Sequence, residues 1–368
     1  MPEHPQFLSD PARLFPILFA LAAALVVSFA VTPLVRMLAR KVGAIDDPSR
    51  DDRRMHKEPI PRLGGLAIFT GFMAAFLVFG MGEMNRTVAG ILIGGVVLVV
   101  VGAIDDVLAL PWWLKLAGQL GAAVIPVACG LRAEIFTSPT VFFGGDVINV
   151  GIFGIPVTVL WIIGITNAVN LIDGLDGLAV GVSGIASLSM LLISLATGHP
   201  AAALLTAALT GGCLGFLPYN FNPARLFMGD SGALFLGYIL SCASILGLFK
   251  FYALLSVVPF LILGLPILDT SIVFFRRLAK GKNPLSTPDR KHVHHRLIDM
   301  GFSQKQAVAI LYSVSAVLGL SAVVLTTSGE LRVLILLLAV LAAIAVYIGL
   351  VRKQNRKSGT GEDDGDRE

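Results

Sequence analysis

The sequence has 368 residues, of which 55% are hydrophobic and only 14% are charged, and its mean hydropathy is +0.82. These values exclude an ordinary soluble globular domain and place the chain in a lipid bilayer. The formal net charge of +4 requires no nucleic acid partner, because basic residues gather in the cytosolic loops of membrane proteins.

A helix that spans a membrane needs ~20 mostly apolar residues, and the sequence contains about eleven such segments. In chain order they are Phe15–Ala39, Leu63–Met81, Thr87–Ile104, Trp113–Leu131, Ile152–Asn170, Leu178–Thr197, Ala201–Pro218, Ala233–Phe249, Tyr252–Phe275, Gln306–Thr327 and Leu331–Val351. The pattern predicts an all-α polytopic membrane protein. We expect residues 1–351 to form one transmembrane catalytic domain and residues 352–368 to form a disordered, charged cytosolic tail. Between Glu134 and Val150, β-branched and aromatic residues around glycines favour a small outer β-hairpin.

The distribution of Lys and Arg predicts the orientation of these spans. If the N-terminus lies outside and the C-terminus in the cytosol, 23 of the 28 basic residues fall on the cytosolic side. The conspicuous acids and histidines of the chain then fall on that side as well. An acid retained near a span is costly, so this concentration indicates a functional face in the cytosol.

Two adjacent acids end the third predicted span. Asp105 and Asp106 precede a tight return into the fourth span, which begins near Lys115. Neighbouring residues of a helix point ~100° apart, so we expect the two carboxylates to do different jobs. A polar helix end in the membrane interface is the alternative interpretation.

A second polar segment closes the fifth span. Spacing by three puts Asn167, Asn170 and Asp173 along one helical ridge, and Asp176 follows between glycines. Gly174 and Gly177 would let a ligand approach the backbone. Capping and turning of the chain before the next span is the alternative.

The segment that links the seventh and eighth spans contains Asn220, Phe227, Asp230 and Ser231. The eighth helix starts here, so its free N–H groups and positive dipole end would suit a phosphate. Phe227 could stack on a planar base or pack in the core. Ser231 or Asp230 could instead be a plain N-cap.

The loop from Arg276 to Lys305 contains His292, His294 and His295 among basic residues, including Arg290 and Arg296. Three histidines in four residues could bind zinc. The surrounding cations instead favour contact with phosphate. A solvated basic loop is the third interpretation. Asp269 lies about two turns inside the ninth span, where we expect a structural partner such as an arginine.

Together these segments resemble the polyprenyl-phosphate N-acetylhexosamine-1-phosphate transferases, a glycosyltransferase family that initiates bacterial envelope glycans. The resemblance covers about Phe15 to Val351, with five motifs in the order of the family. They are Arg54-Met-His56 with Pro59-Ile-Pro61-Arg62-Leu-Gly64-Gly65, Asp105-Asp106 with Lys115, Asn170-Leu-Ile-Asp173-Gly-Leu-Asp176-Gly, Phe227-Met-Gly229-Asp230-Ser-Gly232, and His292-Val-His294-His295-Arg296.

The resemblance implies transfer of GlcNAc 1-phosphate from UDP-GlcNAc to undecaprenyl phosphate, with release of UMP, at the cytosolic face of the plasma membrane. Val293 interrupts the three consecutive histidines that are typical of the branch acting on UDP-N-acetylmuramoyl-pentapeptide. The pattern is similar to the WecA/TagO branch. UDP-MurNAc-pentapeptide or UDP-GalNAc as donor, and an ion-coupled transporter as a different class, are the alternatives. The oligomeric state is open, with a homodimer as one option.

The resemblance also implies Mg²⁺, with Mn²⁺ as a substitute, since phosphoryl transfer between two anions needs a cation. The expected metal ligands are Asp230 first, then Asp173 or Asp176. Asp105 and Asp106 would orient Lys115 or the attacking lipid phosphate, or take the remaining proton of that phosphate. The implied catalytic residues are Asp105, Asp106, Lys115, Asp230, His292, His294 and His295, and the histidines would hold the diphosphate or the sugar. The implied substrate contacts are His56, Asn167, Asn170, Asp173, Asp176, Asn220, Phe227, Arg290 and Arg296.

Overall fold

A computed structural model describes residues 11–46, 59–133, 135–137, 147–149, 151–247, 257–279, 281 and 292–327. Within these ranges the chain is almost entirely helical. The helices are α1 (Pro11–Lys41), α2 (Gly65–Phe79), α3 (Arg86–Leu108), α4 (Trp112–Ala128), α5 (Gly154–Ile172), α6 (Leu178–Thr197), α7 (Pro200–Asn220), α8 (Gly229–Gly247), α9 (Val257–Ile262), α10 (Gly264–Ala279), α11 (Val293–Asp299) and α12 (Gln304–Thr327). The strands are β1 (Ile45–Asp46), β2 (Ile60–Pro61), β3 (Ile135–Thr137) and β4 (Val147–Asn149).

Most of the predicted spans coincide with helices. The first eight correspond to α1 through α8, and the tenth corresponds to α12, each within a few residues. Seven helices in the described ranges are long and apolar enough to cross a membrane, and α2 is a shorter apolar helix. The fold is therefore that of an all-α polytopic membrane protein. The predicted span Leu331–Val351 and the charged tail lie outside the described residues.

The region after α8 differs from the prediction in two respects. The ninth predicted span is not continuous, because the helix is interrupted at Leu263 between α9 and α10. Gly264 follows directly and Pro266 comes two residues after it. Glycine lowers helix propensity, and proline cannot donate a helical hydrogen bond. The basic loop that follows contains the short helix α11, which the apolar periodicity did not reveal.

The described ranges also contain two small antiparallel sheets. Strands β3 and β4 pair with Ile135 opposite Asn149, which confirms the predicted hairpin. Strands β1 and β2 form a second pair that the sequence did not predict, with Ile45 opposite Pro61. This pair joins the end of α1 to the segment that leads into α2.

Helix α8 forms the centre of the bundle. Nearly all of its side chains are buried, and it packs against α2, α3, α5, α6 and α7. Its first turn approaches the start of α2 so closely that a Cβ on Gly65 would lie 2.0 Å from the backbone nitrogen of Gly232. The two glycines thus permit a contact between backbones, which fixes the N-terminus of α8 beside the ends of its neighbours.

Candidate active site

The conspicuous polar residues meet at one end of the bundle. Asp105 lies near the end of α3, Lys115 near the start of α4, Asn170 near the end of α5, and Asp230 near the start of α8. These helix ends are brought together because successive spans run in opposite directions. The structure therefore joins motifs that lie up to 125 residues apart in sequence.

Lys115 links two carboxylates at the centre of this cluster. Its Nζ lies 2.8 Å from Asp105 Oδ2 and 2.8 Å from Asp230 Oδ2. The other oxygen of Asp105 accepts the backbone N–H of Leu110 at 2.7 Å, in the return between α3 and α4. Asn170 Nδ2 donates to Asp230 Oδ1 at 3.2 Å. Lys115, Asp105, Asp230 and Asn170 thus form one hydrogen-bonded group, which we call the acid cluster.

Asp106 points away from Lys115 and binds the N-terminus of α8. Its carboxylate accepts the backbone N–H groups of Asp230 at 2.8 Å and Ser231 at 3.1 Å, and the Ser231 hydroxyl at 2.8 Å. A Cβ on Gly229 would lie 2.3 Å from Asp106 Oδ2, so this approach depends on glycine. The two adjacent acids therefore point to different partners, as the ~100° between neighbouring residues of a helix predicts. The expectation of free N–H groups for a phosphate is wrong for these two, because Asp106 already accepts them.

Arg62 is a second cation at the cluster, and it was not among the site residues expected from the sequence. Its Nε lies 3.7 Å from Asp106 Oδ1, and its Nη1 lies 3.6 Å from Asp46 Oδ1. Its charge also acts on Asp173 and Asp230. The signal that could have revealed it is its place in the Pro59–Gly65 motif, two residues before the Gly64-Gly65 pair at the start of a span.

Asp173 caps the C-terminus of α5 beside the acid cluster. Burial, and then the negative charge of Asp230, raise the pKa of its carboxyl to about 7, although Arg62 opposes this rise. A group of carboxylates that repel one another in this way is a favourable environment for a cation.

The turn that follows Asp173 is fixed by side chains from distant helices. Asp176 Oδ2 accepts hydrogen bonds from Asn222 Nδ2 at 2.9 Å and from the backbone N–H of Ala224 at 3.0 Å. Asn220 Oδ1 accepts the Gly177 N–H at 3.2 Å, and the Tyr312 hydroxyl donates to the Gly177 carbonyl at 2.5 Å. In this structure Asp176 and Asn220 therefore support the turn and its neighbouring loop. Tyr312 was missed because α12 carries no motif.

Two other predicted substrate contacts also have partners inside the protein. Asn167 lies about one helical turn before Asn170 and is paired with Gln119 of α4. Gln119 Nε2 donates to Asn167 Oδ1 at 3.3 Å. Only Asn170 and Asp173 of the predicted ridge therefore reach the acid cluster. The backbone of Phe227 bonds to Pro61 and Gly64, and its side chain is partly buried.

The histidines lie at the start of α11 against the turn after α5. The rings of His292 and His294 are nearly parallel, 5.6 Å apart, and the ring of His295 lies 4.3 Å from that of His294. Burial, and then the nearby His295, lower the pKa of His294 to about 3, so its imidazole is neutral. A Cβ on Gly174 would lie 2.2 Å from His294 Nε2. Gly174 thus makes room for a histidine ring, where we expected a ligand.

The remaining predicted residues are placed as follows. Arg296 is exposed on α11, whereas His56 and Arg290 lie outside the described residues. Asp269 of α10 has His292 as its side-chain partner, at 2.8 Å, where an arginine was expected.

In the described part of the chain, no group of three or more His, Cys, Asp or Glu side chains is arranged to hold a metal ion. This donor set still fits Mg²⁺, which is commonly held by one or two carboxylates while substrate phosphates and waters supply the other oxygens. Asp230 and Asp173 interact electrostatically and can supply the two carboxylates.

Comparison with known proteins shows which family the chain resembles. Residues 88–248 match the model of glycosyl transferase family 4. The chain is 40% identical to the probable undecaprenyl-phosphate N-acetylglucosaminyl 1-phosphate transferase of Bacillus subtilis, over 93% of this chain and 95% of that protein. It is 34% identical to the decaprenyl-phosphate N-acetylglucosaminephosphotransferase of Mycobacterium tuberculosis, over 91% and 89%.

A more distant relative belongs to another branch. The phospho-N-acetylmuramoyl-pentapeptide-transferase of Desulforudis audaxviator is 32% identical over 84% of this chain and 98% of that protein. The matches span nearly the whole length of each protein, and the family model covers the acid cluster from α3 to α8. The chain therefore belongs to glycosyl transferase family 4, as an enzyme that transfers a sugar phosphate to a polyprenyl phosphate.

Proposed function

We propose that this enzyme transfers GlcNAc 1-phosphate from UDP-GlcNAc to undecaprenyl phosphate, producing undecaprenyl-diphospho-GlcNAc and UMP. The observation that carries the proposal is the acid cluster, in which Lys115 lies 2.8 Å from both Asp105 and Asp230. The names of the Bacillus and Mycobacterium relatives support the donor and the acceptor class.

Two phosphorylated substrates bring several negative charges to one place, so the site has to supply cations and fixed geometry. Lys115 and Arg62 are the cations that the described residues place there. We assign Asp230, with Asp173, to Mg²⁺, and the ion when bound would offset the charge of the substrate phosphates. Mn²⁺ would satisfy the same oxygen ligands.

The reaction requires no covalent enzyme intermediate. An oxygen of the lipid phosphate attacks the phosphorus that carries GlcNAc. The bond from this phosphorus to the oxygen that bridges the two phosphates breaks, and UMP leaves with that oxygen. The second ionisation of a phosphate monoester lies near pH 6, so the acceptor is already a dianion for the most part at neutral pH. Asp105 therefore serves to orient Lys115, and Asp106 to fix the N-terminus of α8.

The donor would lie between the acid cluster and the histidines. We propose that Asn170 and Phe227 bind the uridine of the donor. His292, His294 and His295 would contact its diphosphate or its GlcNAc. A neutral His294 can donate one hydrogen bond but brings no charge to a phosphate. Asn167, Asn220 and Asp176 would act indirectly, because their hydrogen bonds hold the framework of the site.

We further propose that the acid cluster faces the cytosol from the plasma membrane, with about eleven spans and an outer N-terminus. Most Lys and Arg residues fall on the proposed cytosolic side. UDP sugars would then reach the site from the cytosol, and the lipid phosphate would reach it laterally from the inner leaflet.

A donor panel tests the proposal. The full chain, purified in detergent, is supplied with Mg²⁺, undecaprenyl phosphate and either UDP-GlcNAc, UDP-GalNAc or UDP-MurNAc-pentapeptide. UMP release and the mass of the lipid product are measured. We expect a product only with UDP-GlcNAc. A product from UDP-MurNAc-pentapeptide alone would move the enzyme to the branch of the Desulforudis relative, and no UMP release with any donor would refute the proposal.

A further inference from the structure

Asp269 is an acidic residue in an unusual position. It lies within α10, only 3% of its surface is exposed, and Pro266 and Val273 on the same helix are also buried. A buried carboxylate is costly unless it is paired and hydrogen-bonded. Its partners therefore indicate why it is there.

Both oxygens of Asp269 bind the start of α11. Oδ2 lies 2.8 Å from His292 Nδ1, and Oδ1 accepts the backbone N–H of Val293 at 2.7 Å. A carboxylate can only accept hydrogen bonds, so the proton of the His292 ring is on Nδ1. In a neutral ring, Nε2 is then left with its lone pair free to accept a proton or a hydrogen bond.

The histidines connect this carboxylate to the acid cluster. His292 stacks on His294 with only 10° between the ring planes. His294 in turn lies against Gly174, the residue directly after Asp173. A change in the orientation of His292 would therefore be transmitted to the turn that holds Asp173.

We propose that Asp269 is a positioning residue of the transfer site, which fixes the Nδ1 proton of His292 and holds the first turn of α11 against the Asp173 turn. The inference rests on the proposed function. Asp269 would act on His292 as carboxylates act on many functional histidines: it binds one ring nitrogen and thereby fixes the tautomer and the orientation of the ring. A cap of the helix alone would need only one of its two oxygens.

The substitution Asp269→Asn separates orientation from capping. The amide oxygen can still accept the Val293 N–H, so α11 keeps its contact. The amide nitrogen, however, donates to His292 Nδ1, and the ring proton must move to Nε2. The side chain keeps its size while the tautomer is reversed.

The test uses the full chain with UDP-GlcNAc, undecaprenyl phosphate and Mg²⁺, and measures kcat, both KM values and the thermal unfolding midpoint. We compare Asp269→Asn, Asp269→Glu, His292→Gln and the double variant Asp269→Asn/His292→Gln. Asp299→Asn is the matched control, because Asp299 is an exposed acid at the far end of α11, the helix whose start Asp269 binds. It should behave as the wild type.

We expect Asp269→Asn to lower kcat by about tenfold to a hundredfold, the range found for partners that orient metal-binding histidines, with a much smaller change in KM. Asp269→Glu should recover part of kcat, because it keeps the carboxylate. The double variant should be no less active than His292→Gln alone, since a residue that acts through His292 has no effect once that ring is gone.

Three results would overturn the inference. They are full activity of Asp269→Asn, multiplication of the two losses in the double variant, or a fall in the unfolding midpoint that accounts for the lost activity in both Asp269 variants. A wild-type enzyme that releases no UMP would instead refute the proposed function, so the two failures can be told apart.

Discussion

The substitution Asp106→Asn tests whether this residue fixes the N-terminus of α8 or takes part in the chemistry. The carboxylate accepts three hydrogen bonds of 2.8, 3.1 and 2.8 Å, two of them from backbone N–H groups that bond to different oxygens. Asparagine offers one oxygen in place of two. One N–H group of α8 must then face an amide NH₂ group that cannot accept its hydrogen bond.

The cost of the substitution can be estimated from these contacts. A buried donor without an acceptor costs ~1–3 kcal/mol, and a hydrogen bond to a charged group is worth about twice one between neutral groups. We therefore expect Asp106→Asn to lower the free energy of unfolding by about 2–4 kcal/mol. Ser231→Ala removes only the hydroxyl bond and should cost ~1 kcal/mol.

The assay is thermal unfolding of the detergent-purified protein, measured for the wild type and both variants in the same buffer, with UMP release measured in parallel. Asp106→Asn should lose stability and activity together, and Ser231→Ala should show a smaller loss of stability. If Asp106→Asn unfolded at the wild-type temperature but had no activity, the structural reading of Asp106 would be refuted, and the residue would belong to the chemistry.

Three further predictions concern the site and its surroundings. Asp230→Asn should abolish turnover by weakening Mg²⁺ binding; a normal dependence of activity on magnesium concentration would reduce Asp230 to a partner of Lys115. Tyr312→Phe should remove the bond to the Gly177 carbonyl and lower stability by ~1 kcal/mol, so an unchanged unfolding midpoint would contradict its supporting role. In intact cells, an impermeant thiol reagent should modify a single cysteine placed at Glu83 but not one at Leu110; the reverse would place the acid cluster outside the cytosol.

The sequence predicts which end of the bundle carries the acids, because apolar length fixes the helices and helix ends alternate between two faces. It also predicts that Asp105 and Asp106 diverge, since the angle between neighbouring residues of a helix is a local property. The hairpin of β3 and β4 was predictable for the same reason, as its signal lies within one short segment.

The partners of these residues could not be predicted, because they depend on contacts between distant helices. Nothing near Asp106 in sequence indicates the N-terminus of α8, and nothing near Asp269 indicates a histidine 23 residues later. Gly174 illustrates the same difficulty, since a glycine that makes room for a ligand and one that makes room for His294 give the same sequence pattern.

The interruption between α9 and α10 was missed for a different reason. The segment is apolar throughout, and a hydropathy pattern reports burial in the bilayer without reporting continuity of the backbone. Gly264 and Pro266 were the available signals, but membrane helices tolerate such residues often enough that they do not by themselves predict an interruption.

Direct transfer at one site is the central claim, and isotope exchange tests it most directly. Rigorously delipidated enzyme is incubated with Mg²⁺, UDP-GlcNAc and labelled UMP, first without and then with undecaprenyl phosphate. We predict that no label enters UDP-GlcNAc until the lipid is added, because UMP can be exchanged only by reversal of the complete reaction. Sustained exchange without lipid, lost in Asp105→Asn, would contradict direct transfer and would identify a covalent intermediate on that aspartate.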